Sequence, residues 1–546
     1  MAGEKRTVTV GIDLGTTFSV IATVDDFGQP QVLPNAEGEP KTPSVVLFEE
    51  GSDEVVVGKV ALASAKAMPE RVVAFAKREI GREPPYTWQI DDKTYRPEEI
   101  SALVLRKLKQ DAEQALGGEV EVKRAVITVP AYFDEARRLA TKSAGEIAGL
   151  EVIGILDEPV AAAISYSLDE VREDQNVVVY DLGGGTFDVT VMRIEKGTVH
   201  VLAKGGNAEL GGKDWDAVLV SHAARKFEEE HGEDPTDDPA SYQGLYDAAL
   251  TAKESLSRVS KGRITVSAGK RTVVELSRDE FNALTAGLLD QTKTTLEGIL
   301  QEVPNIGGWD QIDKVLLVGG STRMKQVPDM VRAVTGKEPS IELDPDTSVA
   351  RGAALYAFGR VLEISDETPR PDETKEQKEQ REQMKAEVKR LGDRGVKPPR
   401  PPKIRFASSR FYGVRALDAK LNPINSILIK KNDRIPIKVT EMYGTVAAGM
   451  TEIPVIVLEC EREEVNPDHP DIKIVREGEI VGIPPGLPEG APIEVTFEFR
   501  EDGTLEVVVA EKTNNIELKL EAKPAGGMTE IELEEAKTRG AALKVS

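Results

Sequence analysis

Cysteine is nearly missing from this chain of 546 residues. Cys460 stands alone, which excludes an intramolecular disulfide and points to a reducing compartment. It sits in the apolar run VIVLECE, where buried packing is the expected role. Histidine is scarce too, and His200, His222, His231 and His469 lie too far apart for metal-ligand spacing. Long hydrophobic runs are absent: there is no stretch of about 18 apolar residues, and the N-terminal MAGEKRTVTV has no signal-type apolar core. A soluble, cytoplasmic protein is expected. Positive charge is in deficit, since 70 Lys and Arg against 94 Asp and Glu leave a net charge of −24. That balance argues against a general nucleic-acid or membrane-surface binder. No Gly-Lys-Ser/Thr ending opens a helix, which excludes a Walker-type phosphate loop.

What is present is a folded, multidomain composition. Apolar residues make up 40% and charged ones 30%, and this length predicts roughly two to four domains. The chain is organised around Asn176 to Thr190, NVVVYDLGGGTFDVT. An apolar strand runs into Asp181, then Gly183, Gly184, Gly185 and Thr186, then Asp188 on a second strand. Three consecutive glycines let backbone N–H groups converge on one concavity, which suits a polyphosphate. Asp181 and Asp188 supply the hard oxygens that Mg²⁺ prefers. An ordinary glycine turn capped by aspartates is the plain alternative. The device occurs twice, however: TVTVGIDLGTTFSV repeats the order of strand, Asp13, Gly15, hydroxyls Thr16 and Thr17, strand. Two such cradles predict two similar lobes facing a nucleotide.

Elsewhere in the first 361 residues, strands and helices alternate, which predicts an α/β domain with a partly parallel sheet. AKAMPERVVAFAKREIGREP (65–84) reads as helical, with Lys77 an ordinary solvated cation if taken alone. PEEISALVLRKLKQDAEQALGG and DEARRLATKSAGEIAGL read as amphipathic helices. Glu158, at the strand-to-helix turn of VIGILDEPVAAAISYSL, is placed either for function or to complement a helix dipole. A long helix is expected from VVELSRDEFNAL to about residue 300. In KVLLVGGSTRMKQVPDMV, Gly319 and Gly320 allow close approach of a planar or sugar group, to which Ser321 and Arg323 can donate.

With DLGTTFS, AKREIGR, VITVPAYF, ILDEPVAAAISY, YDLGGGTFDV, LGGKDWD and LLVGGSTRM in this order, the stretch resembles the ATPase domain of the seventy-kilodalton heat-shock chaperones. The resemblance implies a two-lobed, actin-like and ribonuclease-H-like α/β fold. It implies that Gly15, Thr16, Thr17, Gly183, Gly184, Gly185 and Thr186 hold phosphates, and that Asp13 and Asp181 organise Mg²⁺ largely through water. Lys77 would stabilise the γ-phosphate, and Glu158 and Asp188 would position the attacking water or relay its proton. Gly212, Lys253, Ser257, Gly319, Gly320, Ser321, Arg323 and Asp346 would enclose adenosine. Pro130 and Arg138 match positions that link nucleotide state to the partner domain. ATP, ADP, Mg²⁺ and K⁺ are the implied cofactors. Two departures stand out: Leu250 replaces an adenine-side Glu, and Val160 replaces a Thr.

Residues 403–522 change to short strands with turn signals, predicting an all-β domain. NDRIPIKV and GIPPGLPEGAPIEVTFEFREDGTLEVVVAE resemble the same family's peptide-binding β-sandwich, with Asp502-Gly503 as a hairpin turn. The resemblance makes Val414, Tyr443, Val446, Ile453, Val455 and Ile483 groove lining for an extended peptide, where ordinary sandwich core is the alternative. The family's linker is a short apolar run, which VLEIS (361–365) matches, and a charged insert follows. From about 372 to 391 the insert favours helix, with few apolar side chains, and reads as a solvated spacer ending in a stiff Pro-rich strap rather than a partner-docking helix. MTEIELEEAKTRGAALKVS resembles the first turns of the family's helical lid and then stops.

The expected domains are therefore 1–363 (ATPase), 364–403 (linker insert), 404–523 (sandwich) and 524–546 (start of the lid). The expected function is an ATP-dependent chaperone for unfolded clients, with J-domain and nucleotide-exchange partners implied and no nucleic acid or membrane. A nucleotide-dependent interaction module with a fixed partner is the alternative. A sugar-kinase-like enzyme would leave the sandwich unexplained.

Overall fold

A computed structural model describes residues 5–82, 84–170, 174–303, 305–340, 344–367, 373–396, 399–500, 505–520 and 528–546. The first lobe is built on β1 (Arg6–Asp13), β2 (Phe18–Val24), β4 (Val120–Val129) and β5 (Glu151–Asp157), with β3 (Glu54–Val57) in a separate smaller sheet. β1 runs parallel to β4, which runs parallel to β5, while β2 returns antiparallel. These strands are apolar on both faces because helices cover both sides. α1 (Pro97–Ala115) and α2 (Glu135–Ile147) pack on this lobe. Asp134 caps α2 by accepting the Arg137 N–H. α3 (Glu158–Glu170) opens directly from the end of β5.

The second lobe repeats the plan. β6 (Gln175–Leu182), β7 (Phe187–Glu195) and β8 (Thr198–Asn207) form an antiparallel meander, and β9 (Lys314–Val318) lies parallel to β6. α4 (Gly212–His231) and α5 (Pro239–Leu256) cover it. α6 (Ser348–Asp366) crosses between the lobes, where glycines permit contact that a Cβ would block: Gly11 of β1 against Ala354, and Gly352 of α6 against Ala161 of α3.

Several expectations change. Residues 65–84 do not form an α-helix. Pro69 and the β-branched pair Val72-Val73 give a short strand between two single 3-10 turns, Pro69–Arg71 and Ala76–Arg78. The long helix expected after Val274 is broken at Thr285 into Arg278–Leu284 and Ala286–Gly298. VLEIS is not a linker: it lies in α6, and Val361 is fully buried. The insert helix α7 (Lys375–Asp393) is not a solvated spacer, because Met384 and Leu391 are buried and Val388 packs on the core between the lobes. Two or three apolar side chains suffice when ion pairs hold the remaining faces. The strand that follows, β10 (Lys403–Ala407), adds to the second lobe's sheet beside β8.

The remaining strands form a sandwich of two four-stranded antiparallel sheets. One has the order 423–429, 411–417, 453–460, 473–480, and the other 437–444, 492–499, 505–511, 516–520. Alternating residues such as Ile493, Val495, Phe497 and Phe499 fill its core. The hairpin expected at Asp502-Gly503 lies outside the described residues. The C-terminal helix α8 (Glu530–Ala542) opens with a Thr529 capping box and packs on the first lobe. β11 (Lys544–Val545) then joins β3 in parallel.

Candidate functional site between the two lobes

The two glycine turns meet face to face. A Cβ on Gly184 would strike the Thr17 side chain, and one on Gly185 would strike Thr16. The Gly183 N–H closes its own turn on the Thr186 carbonyl at 3.0 Å, and Ser44 Oγ donates to the Gly15 carbonyl at 2.8 Å. The backbone N–H groups of Gly15 to Thr17 and of Gly184 to Thr186 are thus carried on opposed turns, each anchored by strands buried in its own lobe.

Four carboxylates and one lysine are buried beside the turns. Asp13 ends β1, Asp181 and Asp188 sit directly opposite each other across the β6–β7 pair, and Glu158 opens α3. Lys77 donates to Glu158 at 2.5 Å, and both are buried. Burial, reinforced by Glu158, pushes the Asp13 carboxyl up to about 7 and the Asp188 carboxyl up to about 8. The same two causes lift Asp181 well above the carboxylate range, with Asp188 and Asp13 adding to the effect. Lys77 opposes the shift at all three. Negative charge therefore exceeds positive charge in a dry space, which favours an added cation. Among the described residues no three such side chains converge closely enough to ligate a metal directly. A hydrated Mg²⁺, bonded through its waters, fits this spacing of hard oxygens.

The side expected to hold adenosine also assembles. Lys253 Nζ donates to the Gly212 carbonyl at 3.0 Å and pairs with Asp216 at 2.7 Å. Ser321 Oγ donates to the Gly183 carbonyl at 2.9 Å and abuts Gly212, where a Cβ would strike it. Gly319, at φ 83°, lies against the Leu182 carbonyl, and Gly320 is beside Asp346. Arg323 pairs with Asp346 at 2.7 Å, and Lys41 of the first lobe reaches the same carboxylate at 3.3 Å. Ser257 caps α5 and donates to the Lys253 carbonyl at 3.5 Å. Val160 is wholly buried, so at that position the chain has core packing.

Sequence reasoning missed three connections. Arg78 donates through Nε to the Gly185 carbonyl at 2.8 Å and forks onto Asp214, so it joins the lobes beside the Gly183–Thr186 turn. Its neighbour Lys77 and the LGGKDWD motif were both visible, but their pairing is tertiary. Asp157 forms ion pairs with both Arg138 and Lys204, the latter at 2.6 Å. Burial would raise the Asp157 carboxyl, yet Arg138 and Lys204 hold it below its ordinary value. Tyr132 N–H donates to Asp188 at 3.0 Å, while the Tyr132 carbonyl accepts from Arg410 of the sandwich at 3.1 Å. The Arg410 guanidinium also lies over the Tyr132 ring, 4.2 Å from its centroid. Pro130, two residues earlier, accepts the Phe133 N–H at 3.1 Å.

Among the groove residues, Val414, Val455 and Ile483 are buried in the sandwich core, and Tyr443 and Ile453 pack on the same cluster. Tyr443 donates to Ser426 Oγ at 2.8 Å. Val446 stands apart, 49% exposed.

The Hsp70 protein family model matches residues 9–367 and 413–544. The chain is similar to the chaperone protein DnaK of Thermotoga neapolitana and to that of Thermotoga maritima, each 39% identical over 528 residues, covering 92% of this chain and 78% of the relative. The DnaK of Thermosipho africanus is 39% identical over 524 residues, covering 93% and 78%.

Proposed function

This chain belongs to the Hsp70 family and is an ATP-dependent molecular chaperone that hydrolyses ATP and binds unfolded client proteins; we propose that the buried group between the twin turns carries the hydrolysis. The observation that supports this most is the convergence of Asp13, Asp181, Asp188, Glu158 and Lys77 beneath two facing N–H cradles. Phosphoryl transfer needs placement and charge neutralisation more than covalent chemistry from the protein. The turn amides of Gly15 to Thr17 and of Gly184 to Thr186 would hold the phosphates, with Gly183 closing its turn on the Thr186 carbonyl. Lys77 would face the γ-phosphate. Glu158 and Asp188 would orient the attacking water or relay its proton. Asp13 and Asp181 would hold Mg²⁺ through its water shell, where the ion would neutralise developing phosphate charge. Gly212, Lys253, Ser257, Gly319, Gly320, Ser321, Arg323 and Asp346 would surround the adenosine.

In the sandwich, Val414, Tyr443, Val446, Ile453, Val455 and Ile483 would receive an extended apolar segment, with Tyr443, Ile453 and Val446 the ones that reach the surface. The bonds from Asp188 through Tyr132 to Arg410, together with Arg138 on Asp157, offer a route between the two sites. J-domain and nucleotide-exchange proteins are the proposed partners.

The test is dissociation of a fluorescent apolar peptide, with ATP and with ADP, from wild type and Thr186→Ala. Release about tenfold faster with ATP is expected in wild type, and slowed hydrolysis in the variant. Peptide release that ignores the nucleotide would refute the coupling.

A further inference from the structure

One residue of the first lobe has a backbone that its own side chain does not favour. The strand Val72–Ala74 is fixed against residues 45–47, and the chain then turns at Phe75 into the single 3-10 turn Ala76–Arg78. Phe75 makes that turn at φ 61° and ψ 22°, in the left-handed region. Glycine or asparagine enters this region readily, whereas a bulky side chain there crowds the neighbouring carbonyl. The Phe75 carbonyl accepts the Arg78 N–H at 3.0 Å and so closes the turn. Lys77 lies inside the closed turn, buried, and reaches Glu158. The direction of the Lys77 side chain therefore depends on a strained residue two positions earlier.

The contacts that hold this strain come from the second lobe. A residue in a sparsely populated backbone region persists only where its surroundings over-determine it. The Phe75 ring packs edge-on against Tyr246 of α5, with centroids 6.2 Å apart and planes at 73°. Lys213 of α4 places Nζ 4.7 Å from the centroid of the same ring. Both partners are tied to the nucleotide side of their own lobe. The Lys213 N–H donates to the Gly184 carbonyl at 2.9 Å, within the glycine turn. The Tyr246 hydroxyl donates to Asp216 at 3.4 Å, and Asp216 pairs with Lys253. Arg78, at the end of the 3-10 turn, adds its bonds to the Gly185 carbonyl and Asp214. Phe75 and Arg78 thus grip the second lobe on either side of Lys77, which points back into the first.

We propose that Phe75 is a positioning residue for hydrolysis: its ring, clasped by Tyr246 and Lys213 of the second lobe, holds the turn that aims Lys77 at Glu158 and the γ-phosphate. The proposal rests on the ATPase reading given above. Without the ring contacts Phe75 relaxes towards an ordinary negative φ, the turn opens, and Lys77 loses its line to Glu158. A small displacement of the lysine is enough to matter, because phosphoryl transfer depends on placement. The phosphate cradles and the adenosine side are built from other residues, so the defect falls on the chemical step and leaves nucleotide affinity in place.

The experiment measures single-turnover hydrolysis at saturating ATP, and the Kd for ATP, on the full chain. Wild type is compared with Phe75→Ala, Lys77→Ala and the double variant. Phe75→Ala should hydrolyse roughly tenfold slower, with Kd within about threefold of wild type. The double variant should be no slower than Lys77→Ala, because Phe75 acts through Lys77. Phe75→Tyr, which keeps the ring, should recover most of the rate lost in Phe75→Ala. Tyr246→Ala removes the contact from the other lobe and should slow hydrolysis to a similar degree; it decides the matter if Phe75→Ala does not fold. Three results would overturn the proposal and leave the ATPase reading standing: a wild-type rate in Phe75→Ala, losses that multiply in the double variant, or a Kd weakened in step with the rate. A wild-type rate in Lys77→Ala would overturn the role given to Lys77 and the proposal with it.

Discussion

At the residue scale, Lys77 is the cation that acts on each of three buried aspartates as well as on Glu158. Lys77→Ala should lower single-turnover hydrolysis by roughly 10²-fold or more, with ADP binding largely kept, as measured by phosphate release and nucleotide titration. Glu459, at the interface between sandwich and ATPase domain, gives a pH prediction. Burial, then Asp134, pushes its carboxyl from 4.5 up to about 7, while Arg410 and Lys473 oppose the shift and Glu135 adds to it. The docked state holds a proton that an undocked Glu459 releases. Docking is therefore favoured at low pH, and this contribution is lost as pH rises through about 7. Protection of the amides across Tyr132 to Glu135, corrected for the intrinsic pH dependence of exchange, should fall between about pH 4.5 and about pH 7 in wild type, and Glu459→Gln should flatten the change. Lys77 was legible only through its motif. Taken alone it reads as a solvated cation, because its partner is 81 positions away.

At the element scale, α8 and β11 are bound into the first lobe instead of standing as a free lid fragment. Met528, Ala536 and Leu543 join that lobe's core, and Arg106 donates to the carbonyls of Gly540 and Leu543. Ser546 extends the β11–β3 pairing, accepting the Val57 N–H at 3.0 Å and donating to the Val55 carbonyl at 2.9 Å. Ala536→Asp places a charge in a fully buried position and should cost about 2–4 kcal/mol locally, releasing the segment. The check is amide exchange at Val57, which should accelerate in the variant; an unchanged rate would mean that β11 holds without α8. α1, α2 and α3 were readable from period, caps and glycines. The 65–84 stretch was not, because its apolar spacing suits a helix while Pro69, the β-branched pair and Phe75 at φ 61° break it up.

For the whole molecule, the sandwich is tethered at both ends: β10 enters the second lobe's sheet, and α8 with β11 docks on the first lobe. Between them, Arg476 pairs with Glu135, Lys473 with Asp134, and Lys431 with Glu302. α7 is equally a part of the ATPase unit. A fragment ending at 396 should melt higher than one ending at 366, because the shorter one leaves Arg124 buried without Glu387 of α7, whose carboxylate accepts the Arg124 guanidinium at 2.9 Å and the Thr9 N–H of β1 at 3.0 Å. A broken buried pair of this kind costs about 3 kcal/mol. Calorimetry of the two fragments decides it, and equal melting temperatures would show that the first lobe does not need α7.

The sequence alone determined the parts whose chemistry is local. Twin Asp-Gly turns, alternating strands and helices, and a late all-β segment follow from side-chain period and backbone freedom, and these are set within a few neighbouring residues. Only the tertiary structure decided what α7 and α8 do, how Arg78 and Arg410 join separate units, and that VLEIS ends a helix. Those outcomes depend on burial, of charge at Arg124 and Arg410 and of apolar side chains at Val361 and Ala536, and on partners that for Arg78, α7 and α8 lie from 107 to 440 positions away. A charged helix reads as solvated until a buried arginine and an unpaired strand amide are found beneath it.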